Sequence, residues 1–567
     1  MGKLAYVNFE VAGIQAFILG TKKLKEMIGG SEIIDYLADI KDENEDNSEL
    51  KKGFLRFMLD KNNLTIIPAD NPSEPKQGEV LILQANAGII HMLFGELEEA
   101  KNFIKDFGLR VLDDYPSLPL FAALEECEFT KTSIKDARFK CSLQISQARN
   151  RQTVPCGMLM EPLCEVSSLE DLPAIKSDKA ERISLPSETR QNPKPQLIKN
   201  RSNKRLHRYS NDDEINEEYT WSDNLIEIDG GSNRVAFIHM DGNDLGKLFR
   251  SALEEDKEKK KNEDPSEGIK NMGELSKLVG SSTQESFKYA VNAILDFANI
   301  KPKSVDPTGN HIVPLRPLVL GGDDITAVVR ADLGLIFCQK FAEKFESYTN
   351  KNWPKSIKPS GHLSLGIGMV ICPTNYPFVK AFELAHQLLS NAKKKTKNDK
   401  DRKSSIDYLV ITNEVETNLT SIRERLYTSQ DNVMLTGKPY ILDDSFNDFV
   451  LNGIDVLEKL PRSKVRDALN YMRLGKYHVE GKIQKLYENI ERDLGGRDNS
   501  DLMTPEEFAK IFKNKSFYET KDGKEFTKLG DYLELSHLFK NKGKITLKDY
   551  RKQFNEQKSI NTQNKEK

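Results

Sequence analysis

Short apolar runs along the chain read as strands, and each is followed by a stretch whose apolar positions recur every three or four residues, the mark of an amphipathic helix. LAYVNFE (4–10) predicts a strand, and Ile14, Phe17, Ile18, Leu24, Ile28, Ile33, Ile34 and Leu37 predict helix from Gly13 to about Ile40. EVLILQANAGIIHMLF (79–94) is two apolar runs around Asn86-Ala87-Gly88, a hairpin, and residues 95–115 then give an amphipathic helix before the strand LPLFAALEECEF. The same order returns further on. RVAFIHMDG (234–242) is a strand, helices begin at DLGKLF and SFKYAVNAILDFANI, and LRPLVLGGDDITAVVR (315–330) is a hairpin. Helix 331–351, strand 362–373, helix 378–397 and strand SSIDYLVIT close the unit.

A β-α-β-β-α-β order is that of a ferredoxin-like sheet with helices on one face, the architecture of polymerase palms. The expected fold is therefore α+β: two ferredoxin-like palm domains, an irregular insert and a C-terminal α-helical domain. The divisions read as 1–130 for a degenerate first palm, 131–225 for the insert, 226–415 for a second palm and 416–567 for the helical domain. The insert carries the basic stretch PKPQLIKNRSNKRLHRY (193–209), residues 254–270 read as a solvated charge run, and the polar end reads as a disordered tail.

Composition bounds these readings. A chain of 567 residues has room for three or four units. Its 84 Lys and Arg against 87 Asp and Glu leave a net charge of -3, so charge alone decides nothing about a polyanionic partner. Six cysteines without a CxxC pair fit a reducing, cytoplasmic compartment, and neither a leader nor a membrane-spanning stretch is expected.

The chemistry gathers in the second unit. Asp241 closes one strand, and Gly321-Gly322-Asp323-Asp324 tips a hairpin that a ferredoxin-like sheet places beside it. Paired Mg²⁺ ions, about 3.5–4 Å apart, need such hard oxygen ligands to activate an attacking hydroxyl and stabilise a leaving pyrophosphate. Glycines at 242, 321 and 322 leave room for a triphosphate against the backbone. A GGDD tetrapeptide alone is more often a plain turn, but apolar strands on both sides shift the balance toward a metal site. Asp244 reads as the cap of the helix starting at Leu245. Lys393, Lys394 and Lys395 end a helix, where they either complement its dipole or reach the triphosphate. The first unit's hairpin tip, Gln84 to Gly88, has no carboxylate and its first strand offers only Glu10, so that palm is expected to bind no metal pair and to complete a nucleotide pocket.

Taken together, Gly13 to Ile18, Asp241 to Gly246, Leu320 to Asp324, Tyr376-Pro377 with Ala381 to Lys394, and Leu460 to Lys464 resemble the large polymerase-cyclase subunit of type III CRISPR effector complexes, in its Cmr-type version. The resemblance spans nearly the whole chain. It implies ATP as substrate, cyclic oligoadenylate as product on target-RNA capture, and Mg²⁺ (or Mn²⁺) held by Asp241, Gly242, Asp323 and Asp324. It further implies nucleotide contacts at Gly242, Asn243, Gly321, Gly322, Lys393 and Lys394, with guide RNA, target RNA and other effector subunits as partners and no membrane. Departures are visible: Asn243 stands at the family's usual second aspartate, the family's zinc cysteines are missing, and no His-Asp dipeptide signals its HD nuclease, so DNA cleavage is not expected. Asn243 also leaves room for a different acceptor, joining AMP to S-adenosylmethionine. A GTP-using diguanylate-cyclase-like enzyme is disfavoured by Ile325 after the acidic pair, and an idle RNA- and protein-binding scaffold by the retained carboxylates.

Overall fold

The structure, a computed structural model, describes residues 3–21, 23–40, 52–86, 88–151, 167, 172, 174–178, 181–193, 219–254, 264–298, 311–357, 361–397, 402–411, 417–459, 462–475, 519–521, 524–539 and 546–565. The basic stretch of the insert, from 194 onward, and residues 476–494 of the C-terminal helical reading lie outside them.

The first unit runs β1 (Leu4–Val11), α1 (Ile14–Leu19), α2 (Leu24–Leu37), α3 (Phe54–Lys61), β2 (Thr65–Ile67), β3 (Glu79–Asn86), β4 (Ile89–Phe94), α4 (Leu97–Asp114), β5 (Leu120–Cys127) and α5 (Lys131–Arg151). Its strands are ordered β2-β3-β4-β1-β5, the ferredoxin-like arrangement with one added edge strand. Alternation along β1 decides what covers each face. Ala5, Val7 and Phe9 point into a core with Ile33, Phe54, Phe103 and Phe107 of the helices on one side. Leu4 and Tyr6 point the other way, where Ile134, Ala137, Cys141 and Ile145 of α5 cover them. Residues 131–151, read from sequence as the start of the insert, are thus a helix packed on the first sheet. Within the insert, a two-stranded hairpin (Ala174–Asp178 with Glu181–Ser184) leads into α6 (Leu185–Gln191), which packs on α2 through Ser187 and Arg190 against the buried Glu26.

The second unit runs β6 (Arg234–Gly242), α7 (Leu245–Glu254), α8 (Ser266–Phe297), β7 (Leu315–Gly321), β8 (Asp324–Arg330), α9 (Gly334–Lys351), β9 (Leu365–Pro373), α10 (Phe378–Thr396) and β10 (Ser405–Val410). After α11 (Leu419–Tyr427), β11 (Tyr440–Ile441) completes a sheet ordered β7-β8-β6-β9-β10-β11. Its first four strands repeat the first unit's β3-β4-β1-β5 order. The repetition reaches single residues: each hairpin breaks register at the same place, between Ile82 and Gln84 in one and between Pro317 and Val319 in the other. The fold class is α+β with two palms, as the element order implied.

Helix α8 begins at Ser266, so the last residues of the charge run are helical. It crosses from one palm to the other, placing Ile269 with Leu81 of the first sheet and Phe287 in the core of the second. The C-terminal part supplies α12 (Asp444–Lys459), α13 (Arg462–Arg473), α14 (Leu529–Leu538) and α15 (Leu547–Lys565). The last is helical where composition suggested disorder, because Tyr550 and Phe554 are fully buried and anchor it. Among the described residues no helix is long and apolar enough to cross a membrane.

Candidate active site

Strand register brings the acidic residues together. Met240 pairs with Ile325, so the next step along each strand sets Asp241 opposite Asp324. Gly322 takes φ +61 at the turn, a conformation that favours glycine, and delivers Asp323 over the end of β6. A Cβ added to Gly242 would lie 3.0 Å from Asp323 Oδ2, which measures how closely that carboxylate approaches the strand. Burial, then the Asp241 carboxylate, raise the Asp323 pKa toward neutrality. The same two causes push Asp324 up to about 7, against the pull of the Gln15 amide and Lys393. Like charges this close cannot all ionise without a compensating cation.

Lys393 supplies one such charge. Its ammonium pairs with Asp241 and donates to the Gly242 carbonyl at 2.9 Å. The approach depends on β9 being bare beneath α10: a Cβ at Gly366 would meet Lys393 Cγ at 2.5 Å, and one at Gly368 would meet the Ala385 carbonyl oxygen at 1.9 Å. Lys394, one residue on, is exposed. Asn243 turns away, its backbone and side-chain amides each donating at 2.9 Å to Ser364. Asp244 does not cap α7 with its side chain; it takes φ +57 and pairs with Lys247 at 2.8 Å.

A second layer supports the strand ends. Thr283 of α8 donates to the Gly322 carbonyl at 2.5 Å, holding the turn from behind. Below Asp324, burial first and then His386 lower the His239 pKa to about 4. That neutral ring is bonded to Thr326 Oγ1 at 3.1 Å and lies 3.5 Å from Asp324 Oδ1. Asp324 Oδ1 itself is buried with no hydrogen-bond partner among the described residues.

The cluster opens into a cavity of about 470 Å³ between the two palms, lined by Glu10, Gln15, Ser31, Asp35, Arg149 and Asp324 among others. Four of these six come from β1, α1 and α2 of the first palm, and Arg149 from α5. Sequence reasoning assigned the first palm a supporting role but named none of these five as a site residue. Arg149 pairs with Glu10 at 2.5 Å.

Among the described residues, no three of His, Cys, Asp and Glu are gathered tightly enough to hold a metal ion as they stand. The ammonium of Lys393 takes the Asp241 oxygen such an ion would need. The donor set nevertheless fits a hard divalent cation: an orphaned buried carboxylate oxygen, two carboxyls pushed toward neutrality by burial and by the Asp241 charge, and a backbone carbonyl at Gly242 that already accepts from a cation, Lys393.

Residues 234–402 match the family profile described as Cas10/Cmr2, second palm domain. This segment is similar to a Cas10/Cmr2 second palm domain. The match begins at β6 and ends just before β10, so every residue of the acidic cluster and Lys393 lies inside it. Solved structures similar to the whole chain include a Csm1-Csm4 cassette in complex with cA3, 12% identical over 95% of this chain and 70% of that one with a TM-score of 0.48. Csm1 from T. onnurineus is 13% identical over 95% and 69%, with a TM-score of 0.41. No curated protein is measurably similar to this chain.

Proposed function

We propose that the protein is a divalent-metal-dependent nucleotidyltransferase subunit of a type III CRISPR effector complex, which converts ATP into cyclic oligoadenylate when the complex captures target RNA. The observation that carries the reading is the meeting of Asp241, Asp323, Asp324 and Lys393, with Asp324 lining a cavity whose other wall is the first palm. Guide RNA and other effector subunits are the expected partners, with the C-terminal helices and the basic insert as their docking regions.

In this reading Asp241, Asp323, Asp324 and the Gly242 carbonyl hold Mg²⁺ or Mn²⁺, which supplies charge neutralisation of the triphosphate and a more acidic attacking hydroxyl. The remaining work belongs to the chain. Gly321 and Gly322 let a triphosphate lie against the hairpin backbone. Lys393 leaves Asp241 and follows negative charge onto the phosphates, a transfer that a flexible ammonium on a four-carbon stem performs well. Gln15 and the Glu10–Arg149 pair shape the acceptor side of the cavity, and the walls of both palms exclude water.

One observation favours a second acceptor. The charged side chains lining the cavity are Glu10, Asp35, Asp324 and Arg149, three acids against one base that is already paired. Such a lining suits a cationic acceptor such as S-adenosylmethionine better than a second triphosphate.

The deciding experiment incubates the purified complex with labelled ATP, Mn²⁺ and target RNA, with and without S-adenosylmethionine. The expected product is oligoadenylate, abolished by Asp323→Ala with Asp324→Ala. A product formed only with S-adenosylmethionine would transfer the assignment to that acceptor, and no product under any trigger would leave a scaffold.

A further inference from the structure

Helix α10 rests on its sheet through Phe378, Ala381, Leu384, Ala385, Leu388, Leu389 and Ala392, all buried. Beneath it β9 offers two glycines, so the seam is smooth. Apolar packing on a smooth surface sets the distance between helix and sheet far better than it sets rotation and slide. Lys393 needs both, because its ammonium must meet Asp241 and the Gly242 carbonyl across Gly366.

Polar bonds supply the missing constraint: Ser405 of β10 bonds the Thr396 hydroxyl at 2.6 Å and donates to the Ala392 carbonyl at 2.8 Å, and a longer chain starts one turn earlier. Asn391, two residues before Lys393 and on a different side of the helix, donates to Asp407 Oδ2 of β10 at 2.7 Å. The other oxygen of Asp407, a fully buried residue, is paired with Arg423 of α11. Arg423 also donates to the Lys438 carbonyl at 3.5 Å, and the Lys438 ammonium reaches Glu534 at 2.5 Å and the Tyr408 carbonyl at 2.9 Å. Asp531, on α14 with Glu534, accepts from Thr436 at 2.7 Å, from the Gly437 amide at 2.8 Å and from Tyr440 at 2.6 Å. Five buried charged residues thus run unbroken from the active-site helix to the C-terminal domain.

Buried ion networks add little stability over apolar residues of the same volume. What this one imposes is one geometry: Arg423 Nε aside, its donors are satisfied in this arrangement and left costly in another.

We infer that Asn391 is a positioning residue for Lys393, the last link of a buried polar chain through which α14 of the C-terminal domain sets the rotation of the active-site helix. The inference rests on the reading of Lys393 as the phosphate-facing cation.

Its test is a double-mutant cycle with a matched control. Asn391→Ala should lower kcat about tenfold, the scale of a misplaced catalytic group, while the ATP KM stays within about twofold. Asn391→Asp, which sets a carboxylate against Asp407, should fall at least as far. In a Lys393→Ala background either change should add nothing to the loss, because the group through which it acts is gone. The control is Gln387→Ala, one turn earlier on α10, where the side chain holds the start of α11 through the Thr417 carbonyl and the Leu419 amide. It should lower the melting temperature and leave kcat near wild type.

A second readout needs no turnover: acylation of Lys393, followed by peptide mass spectrometry of the full chain, should speed up several-fold in Asn391→Ala as the ammonium leaves Asp241. An inactive wild type with faster acylation in the variant would sink the nucleotidyltransferase reading and keep the positioning role. Unchanged acylation with unchanged kcat, a full extra loss on the Lys393→Ala background, or a Gln387→Ala loss equal to that of Asn391→Ala would each overturn it.

Discussion

The two glycines of β9 make the most specific quantitative prediction, because they face the same helix and must fail differently. At Gly366 an added Cβ would sit 2.5 Å from Lys393 Cγ, 3.2 Å from Leu389 Cδ1 and 3.3 Å from Lys393 Cε. Carbon pairs settle at about 3.5–4.0 Å, so the lysine stem has to move by roughly 1–1.5 Å. A flexible stem yields cheaply, at the low end of the ~1–3 kcal/mol that overpacking costs. The ammonium then no longer reaches Asp241 and Gly242 together, and a displacement of about 1 Å in a catalytic group costs up to about a hundredfold in rate. Gly366→Ala should therefore melt within a few degrees of wild type and turn over ATP about tenfold to a hundredfold more slowly. At Gly368 the clash is with backbone, 1.9 Å from the Ala385 carbonyl oxygen and 2.6 Å from the Leu389 nitrogen. No rotamer relieves it and the whole helix must lift, which belongs in the exceptional tail above about 4 kcal/mol. Gly368→Ala should lose structure before it loses chemistry. Thermal melts paired with product formation at saturating ATP read both effects. A Gly366→Ala protein with undiminished turnover, or a Gly368→Ala protein as stable as wild type, would refute the placement of Lys393 across a bare strand.

Three further outcomes follow from the site. Thr283→Val removes the hydroxyl held to the Gly322 carbonyl and should slow turnover about tenfold, while Thr283→Ser keeps most of it; equal rates for the two would show that the hydroxyl does not position the turn. Without metal, the folded state holds protons on Asp323 and Asp324 that the unfolded chain, with carboxyls near 4, releases earlier. Stability in EDTA should then fall as pH rises from about 4 toward about 7 and level off above it, a slope that Asp323→Asn with Asp324→Asn flattens and that an unaltered slope in that variant would contradict. Mn²⁺ at a hundredfold its pH 8 Kd should add about 2.7 kcal/mol to wild type at pH 8, less at the same concentration at pH 5 because its ligands must lose their protons, and nothing to the double Asn variant.

How much of this was open to sequence reading depends on whether the cause was local. The palms were legible because strand alternation and helical spacing are local patterns, and their repeated order identified the duplication. The convergence of Asp241 with Asp323 and Asp324 followed from topology alone, since a hairpin between a first and last strand can place its tip in few ways. Helix α5 was missed although Ile134, Ala137, Cys141 and Ile145 lie on a helical spacing, because the stripe is narrow in a polar segment. Glycines 366 and 368 sat in plain sight in LGIGM, but only the crossing helix reveals that they are needed. Asn243 departs from the aspartate usual at its motif position and was still expected to contact nucleotide, yet its amide is committed to Ser364, a partner 121 residues away that no local pattern indicates. Gln15, Ser31, Asp35 and Arg149 are beyond sequence reasoning for the same reason: which face of the first palm closes the cavity is a docking outcome.

The duplication also accounts for the Glu10–Arg149 side of the cavity and exposes its proposed acceptor role to test. Asn86 pairs with Ile89 as Gly321 pairs with Asp324, so Ile89 stands where Asp324 does, and Glu10, opposite Ile89, stands where Asp241 does. The first palm has thus lost one carboxylate of the pair and covered the other with Arg149, a fixed cation in place of an exchangeable one. A guanidinium so held contributes no Lewis acidity, but its charge still sets what the cavity welcomes. Glu10→Gln removes the countercharge and leaves Arg149 to face the ligand. If the acceptor carries a triphosphate, as chain growth from ATP requires, the ATP concentration for half-maximal product formation should fall about threefold to fivefold, the yield of roughly 1 kcal/mol from one released charge at a half-exposed site. If the acceptor is a cation, the same substitution should weaken it by a similar factor, and S-adenosylmethionine dependence would rise instead. No change in either direction would mean that Arg149 does not face the acceptor, and the cavity would lose its claim to that role.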